Sequence, residues 1–104
     1  MIWHVSEKKI RAYLLNAHHR DGRSKARFFI AHGYSDREWH VLAQAIGRHP
    51  VDNPIAGVEA TTYGQKLVVV CRLRTPDGRN PCIRTVWIAE AGANPRLVTA
   101  YPFA

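Results

Sequence analysis

The hydrophobic period of this chain changes once, near its middle, and that change limits the folds open to it. Before about residue 50, apolar residues recur at helical spacing. Ser6 is placed to cap a first helix, on which Ile10, Tyr13 and Leu14 share one face at i, i+3 and i+4. Ser24 can cap a second, "KARFFIAH", with bulk from Phe28 and Phe29 and with Gly33 free to adopt the left-handed conformation that ends helices. Ser35 and Glu38 make a capping box for a third, striped by Trp39, Leu42, Ala43 and Ile46 and expected to stop before Gly47 and Pro50.

From Gly57 onward the runs "VEATTYG", "QKLVVVCRLR", "PCIRTVWIAE" and "RLVTAYPF" are β-branched and aromatic, and turn residues separate them. They predict a four-stranded antiparallel meander. Helices first and strands second give an α+β fold, with the helices packed on one face of the sheet. The length suits one domain over residues 1–104, helical over 1–50 and sheet over 55–104.

A Thr75-Pro76-Asp77-Gly78 turn would pair Thr75 with Arg79 and Cys71 with Ile83. The two-residue pleat then puts Leu67, Val69, Cys71, Leu73, Ile83, Thr85 and Trp87 on one face. Lys66, Val68, Val70, Arg72, Arg74, Arg84, Val86 and Ile88 fall on the other, an apolar centre fringed by cations. A one-residue slip would exchange the faces, and a Cys71–Cys82 disulfide would contradict the register. For two cysteines in a cytoplasmic chain, buried thiols are expected rather than a bridge.

Charge narrows the function. Fifteen Lys and Arg against eight Asp and Glu give a net charge of +7, a balance that suits a polyanionic partner such as RNA or an acidic protein and serves solubility as well. Residues 1–49 hold nine of the basic residues and all six histidines. No His-x-x-x-His occurs and neither cysteine has a ligand partner in a metal motif, so no zinc and no cofactor is expected. With no apolar run of about eighteen residues, neither a membrane span nor a secretory signal is expected, and the expected location is the cytoplasm.

The segments "KKIRAYLLN", "SKARFF", "TTYGQKLVV", "TPDGRNPCIRTVWI" and "PRLVTAYP" together resemble a family of small stand-alone bacterial proteins of uncharacterised function. That family is similar in turn to the ribonuclease superfamily of barnase, EndoU, the tRNA-cutting colicins and RelE. The resemblance implies N-terminal helices on a four-stranded sheet. It also implies a metal-independent endoribonuclease, the toxin of a toxin–antitoxin pair or a secreted effector, held in check by a small acidic antitoxin or immunity protein.

Such a reaction needs a group to take the ribose 2′-hydroxyl proton, a group to protonate the leaving 5′-oxygen, and cations to stabilise the phosphorane. His18 and His19, in a polar loop amid Arg20, Arg23 and Lys25, are the acid–base candidates, against a plainer reading of both as loop residues. Lys25 opens a helix where the macrodipole disfavours a cation, which suggests a phosphate contact as much as simple solvation. Arg84 lies mid-strand and needs an acceptor or a ligand. Thr99 and Tyr101 join it as catalytic candidates on the last strand, although both suit a strand on structural grounds alone. Arg20, Arg23, Tyr63, Lys66, Arg72 and Arg96 are candidate substrate contacts. Trp3, Trp39 and Trp87 are assigned to packing. The competing reading is a non-catalytic basic module that binds RNA or a protein through the same surface.

Overall fold

The computed structural model describes residues 1–103. Three helices precede a four-stranded antiparallel sheet in the order β1-β2-β3-β4, the α+β architecture expected from the change of period. Helix α1 spans Glu7–Lys9 and continues as a π-helical turn over Ile10–Leu14, α2 is Arg23–Ala31 and α3 is Trp39–Asp52. The strands are β1 (Ile55–Thr61), β2 (Gly64–Arg72), β3 (Cys82–Ala89) and β4 (Arg96–Pro102). One core runs through both halves: Ile10, Leu14, Phe29, Leu42 and Ile46 from the helices meet Leu67, Val69, Ile83, Trp87, Leu97 and Ala100 from the sheet.

Local signals explain most helix ends. The Ser6 hydroxyl accepts from the Lys9 N–H at 3.1 Å, and the Ser35 hydroxyl accepts from the Glu38 N–H at 3.3 Å just ahead of α3. Gly33 follows α2 with φ +100°, as a helix stop requires. Three details differ from expectation. Helix α3 begins at Trp39 with Glu38 as its N-cap and no side-chain capping bond, so Ser35 and Glu38 do not form the expected capping box. Helix α2 starts one residue before Ser24 with Gly22 as its N-cap, and α3 runs through Gly47 and Pro50 to Asp52. Proline in the last turn forfeits one hydrogen bond, but it is buried together with His49 against the sheet. Asn53 closes the helix end, donating both its backbone N–H at 3.1 Å and its side-chain amide at 2.9 Å to the His49 carbonyl.

The β2–β3 register is the one expected, with Cys71 opposite Ile83 and Val70 opposite Arg84. The Gly78 N–H closes the turn on the Thr75 carbonyl at 3.0 Å. Thr75 and Arg79 do not pair. Instead Thr75 donates its backbone N–H to the Asn80 side chain at 2.9 Å, because the two extra residues at 80 and 81 are taken up in a side-chain-braced loop. Arg79 reaches the Ala31 carbonyl at 2.8 Å and so caps the C-terminus of α2 with a cation.

Cys71 departs from the pleat. Its φ is +133° and its side chain is exposed although Ile83 opposite is fully buried, so it belongs to the solvent side and not to the core row. Cys82 is half-buried and both thiols are free, where buried thiols were expected.

Beneath this point lies a buried polar chain. Trp87 Nε1–H donates to Thr85 Oγ1 at 2.9 Å, and the Thr85 hydroxyl lies 2.9 Å from His49 Nδ1. His49 Nε2 lies 2.8 Å from the Cys71 carbonyl. A carbonyl can only accept, so Nε2 carries the proton and Nδ1 accepts from Thr85. Every member of the chain is satisfied, which is what makes a polar network tolerable at this depth.

Candidate functional site

Tyr13 lies in the π-turn. Leu15 N–H bonds the Ile10 carbonyl five residues back at 2.8 Å, which widens the turn. Ile10 and Leu14 are fully buried in the core, and Tyr13 packs against the edge of that core. Its ring is half-buried, and its hydroxyl lies 3.2 Å from the Thr99 hydroxyl on β4. The ammonium of Lys9 lies over the Tyr13 ring at 5.2 Å from the centroid and that of Lys25 at 5.4 Å. The His19 ring meets Tyr13 edge-on at 5.0 Å.

All of these groups except Lys25 border a hollow of about 640 Å³ lined by Ser6, Lys8, Lys9, Ala12, Tyr13, His19, Val98 and Thr99. A second hollow beside it shares Ser6, Lys9 and Val98 and adds His4, Arg96 and Leu97, so a basic groove follows β4.

His19 is fixed in one tautomer by the loop that carries it. Its Nδ1 accepts the N–H groups of Asp21 and Gly22, each at 3.0 Å. A nitrogen receiving two donors holds no proton, so Nε2 presents an N–H. The loop is tight because Gly22 lies against Tyr13: a Cβ there would stand 2.3 Å from the Tyr13 carbonyl oxygen. Lys25 is steadied by its bond to the Asp21 carbonyl at 3.1 Å. Around the Tyr13 ring and the hollow beside it stand two ammonium groups, one imidazole N–H and a pair of hydroxyls, a set that matches an anion with several oxygens.

Of the residues singled out in the sequence, His19, Lys25 and Thr99 come together here. His18 does not line the hollow; it is exposed one position away, and its backbone N–H bonds the Asn16 side chain at 2.9 Å. Arg20 and Arg23 are exposed on the same loop and at the start of α2. Arg84 and Tyr101 form a second group, paired across β3 and β4, with Arg84 Nη1 donating to the Tyr101 hydroxyl at 3.4 Å. The Arg84 guanidinium lies 4.9 Å over the Phe103 ring, and its Nε is buried without a partner. Tyr101 is two residues beyond Thr99, which joins the two groups along β4.

The remaining candidates are already engaged or remote. Lys66 pairs with Glu59 at 3.8 Å, Arg72 donates to the Asn80 carbonyl at 3.0 Å, and Arg96 pairs with Glu90 at 2.7 Å. Tyr63 stands at the tip of the β1–β2 hairpin, 79 % exposed. Lys9 and Tyr13 were missed as site residues. Tyr13 read as a core residue from its spacing, and only the two lysines at four before and twelve after it in sequence hint otherwise.

The shallow surface formed by Glu7, Lys8, Arg11, Ala12 and Asp36 has less to offer a ligand, since Arg11 is held by Glu7 at 3.0 Å and Asp36 at 3.1 Å. The bonds to that guanidinium hold the Asp36 carboxyl below its ordinary range. Among the described residues no group of three or more His, Cys, Asp or Glu is placed to hold a metal ion. No helix among them is long and apolar enough to cross a membrane.

Comparison with solved structures finds the same fold in a contact-dependent growth inhibition toxin–immunity protein complex from Klebsiella pneumoniae 342. The similarity has a TM-score of 0.77 at 19 % identity and covers 96 % of this chain and 92 % of that one. No curated protein matches the sequence. A family profile described as "Domain of unknown function (DUF6883)" matches residues 2–104, and the chain belongs to that family.

Proposed function

We propose that the chain is a metal-independent endoribonuclease acting as a bacterial toxin, with the hollow around Tyr13 as its phosphate site. The observation that carries this reading is the gathering of Lys9, Lys25, the His19 ring and the Thr99 hydroxyl around Tyr13, all but Lys25 lining one hollow. In-line attack by a ribose 2′-hydroxyl builds charge on the non-bridging oxygens, and fixed cations and N–H donors aimed there contribute the largest part of such catalysis. Lys9 and Lys25 supply that charge without a metal ion. The His19 Nε2–H is a hydrogen-bond donor to the phosphate oxygens, and the Tyr13–Thr99 hydroxyl pair holds the ribose 2′-hydroxyl in position by hydrogen bonding. Arg84, with Tyr101 and Phe103, holds the strand further along β4 by a phosphate grip and a base-stacking ring.

The fold likeness supports a place in a toxin–immunity pair. Of the two members of such a pair, a chain of net charge +7 fits the one that engages a polyanion, and an acidic immunity protein fits as its partner. Expression from a tight inducible promoter in a bacterial host tests the reading. Arrested growth with fragmented RNA is expected from the wild type, and both effects should be relieved by Lys9→Gln combined with Lys25→Gln. Intact RNA and normal growth from folded wild type would overturn it.

One observation favours a second reading. His19 Nδ1 is consumed by two backbone N–H groups, so the ring also serves to build the loop. A basic module that binds RNA or a protein without cutting uses the same groove, and it would show RNA binding with no products.

A further inference from the structure

We propose that Cys71 and Cys82 are a reversible dithiol–disulfide pair, oxidised by low-molecular-weight disulfides such as glutathione disulfide, that clamps the β2–β3 hairpin. The inference is independent of the nuclease reading.

It begins with the register. Cys71 pairs with Ile83 and Arg72 with Cys82, so the two cysteines sit on adjacent rungs of one antiparallel ladder. Rung spacing and a one-residue offset put their Cα atoms about 6 Å apart, inside the range a disulfide spans. On a regular pleat their side chains would still point to opposite faces, and no bridge could form.

Cys71 removes that obstacle. Its φ of +133° turns the side chain out of the core row, to the exposed side on which Cys82 lies. Asn80, in the loop at φ +47°, is the other non-glycine residue with positive φ among those described. A residue held in so sparsely populated a region points to surroundings that enforce it. Here the enforcing group is buried His49, whose Nε2–H grips the Cys71 carbonyl at 2.8 Å and is itself fixed through Thr85 and Trp87.

Burial and the neighbouring Cys71 thiol push the Cys82 thiol up to about 11, while the Arg72 guanidinium nearby works in the opposite direction. The roles follow from exposure. Exposed Cys71, as its thiolate, attacks one sulfur of glutathione disulfide; the S–S bond breaks and one glutathione leaves as thiolate. Cys82 loses its proton and attacks the Cys71 sulfur of the mixed disulfide, expelling the second glutathione. Two protein thiols are oxidised, one glutathione disulfide is reduced to two glutathiones, and the two protons released end on those products.

The test uses the full chain in glutathione redox buffers, with alkylation of the remaining thiols and intact mass readout, in native buffer and in denaturant. The expected native product is a monomer that has lost both free thiols, carries no glutathione and reverts with dithiothreitol. The equilibrium constant for forming it should exceed that of the denatured chain by roughly tenfold or more. Cys82→Ser should instead accumulate a glutathione adduct on Cys71. Wild-type chains that carry glutathione on either cysteine at equilibrium, that link into covalent dimers, or that form the bridge no more readily folded than unfolded would overturn the proposal.

Discussion

The Tyr13 hydroxyl lies 3.2 Å from the Thr99 hydroxyl, across eighty-six positions of sequence. This contact ties the helical half of the chain to its last strand at the point where Lys9, Lys25 and His19 gather. Removing either hydroxyl tests whether it acts in chemistry or only in packing. Tyr13→Phe and Thr99→Val should each change stability by about 0.5–1.5 kcal/mol, the net worth of one hydrogen bond. If the pair holds the ribose 2′-hydroxyl in position, each should lower RNA cleavage by about a hundredfold or more. Denaturant melts beside cleavage time courses separate the two effects, and unchanged cleavage by both variants would remove the pair from the mechanism.

Gly22 is required by contact and not by backbone angle. A Cβ would meet the Tyr13 carbonyl at 2.3 Å, whereas at Gly57 the nearest atom, on Val68, is 3.8 Å away. Gly22→Ala should therefore cost about 1–3 kcal/mol by overpacking, and it should displace the loop that orients His19. Gly57→Ala is the matched control, with a small effect. Urea denaturation of both variants checks the contrast.

How far the sequence reaches can be judged at particular residues. The change of period and the Pro-Asp-Gly turn were sufficient for the architecture and for the pairing of Cys71 with Ile83, because hydrophobic pattern and turn chemistry are local signals. The end of α3 was not legible. Gly47 and Pro50 are strong local stops, and what overrides them is the burial of His49 and Pro50 against a sheet formed later in the chain. Tyr13 is a sharper case: its spacing is that of a core residue and it packs against the core, but nothing local marks that its hydroxyl reaches Thr99, eighty-six positions away. His19 and Lys25 could be chosen for their chemistry, but nothing in the loop sequence separates His19 from His18 until the Asp21 and Gly22 N–H groups are seen on one ring.

His49 makes stability depend on pH. Burial holds its imidazole below the ordinary value of 6.5, with the bond to the Cys71 carbonyl opposing the shift. The unfolded chain then binds a proton the folded chain refuses, so this contribution is complete above about 6.5 and is lost as pH falls below it. Thermal melts from pH 8 to pH 5 should show falling stability in the wild type. His49→Gln should be less stable at pH 8 and show a flatter profile over the same range; parallel profiles would assign the acid sensitivity elsewhere.

The lysines over Tyr13 are expected to act as phosphate contacts. Lys9→Gln and Lys25→Gln should each reduce the slope of log affinity for single-stranded RNA against log salt by about one. Arg48→Gln, outside both hollows, should leave it unchanged. Fluorescence anisotropy over a salt series reads the slopes.

The most direct test is cleavage by the purified chain. Total bacterial RNA is incubated in chelator with wild type, with Tyr13→Phe and with the Lys9→Gln, Lys25→Gln double variant, all verified as folded, and the product ends are identified. The account predicts fragments ending in 2′,3′-cyclic phosphate from the wild type and a loss of at least about a hundredfold in both variants. Undamaged RNA from the wild type, or cutting by the variants at the wild-type rate, would contradict it.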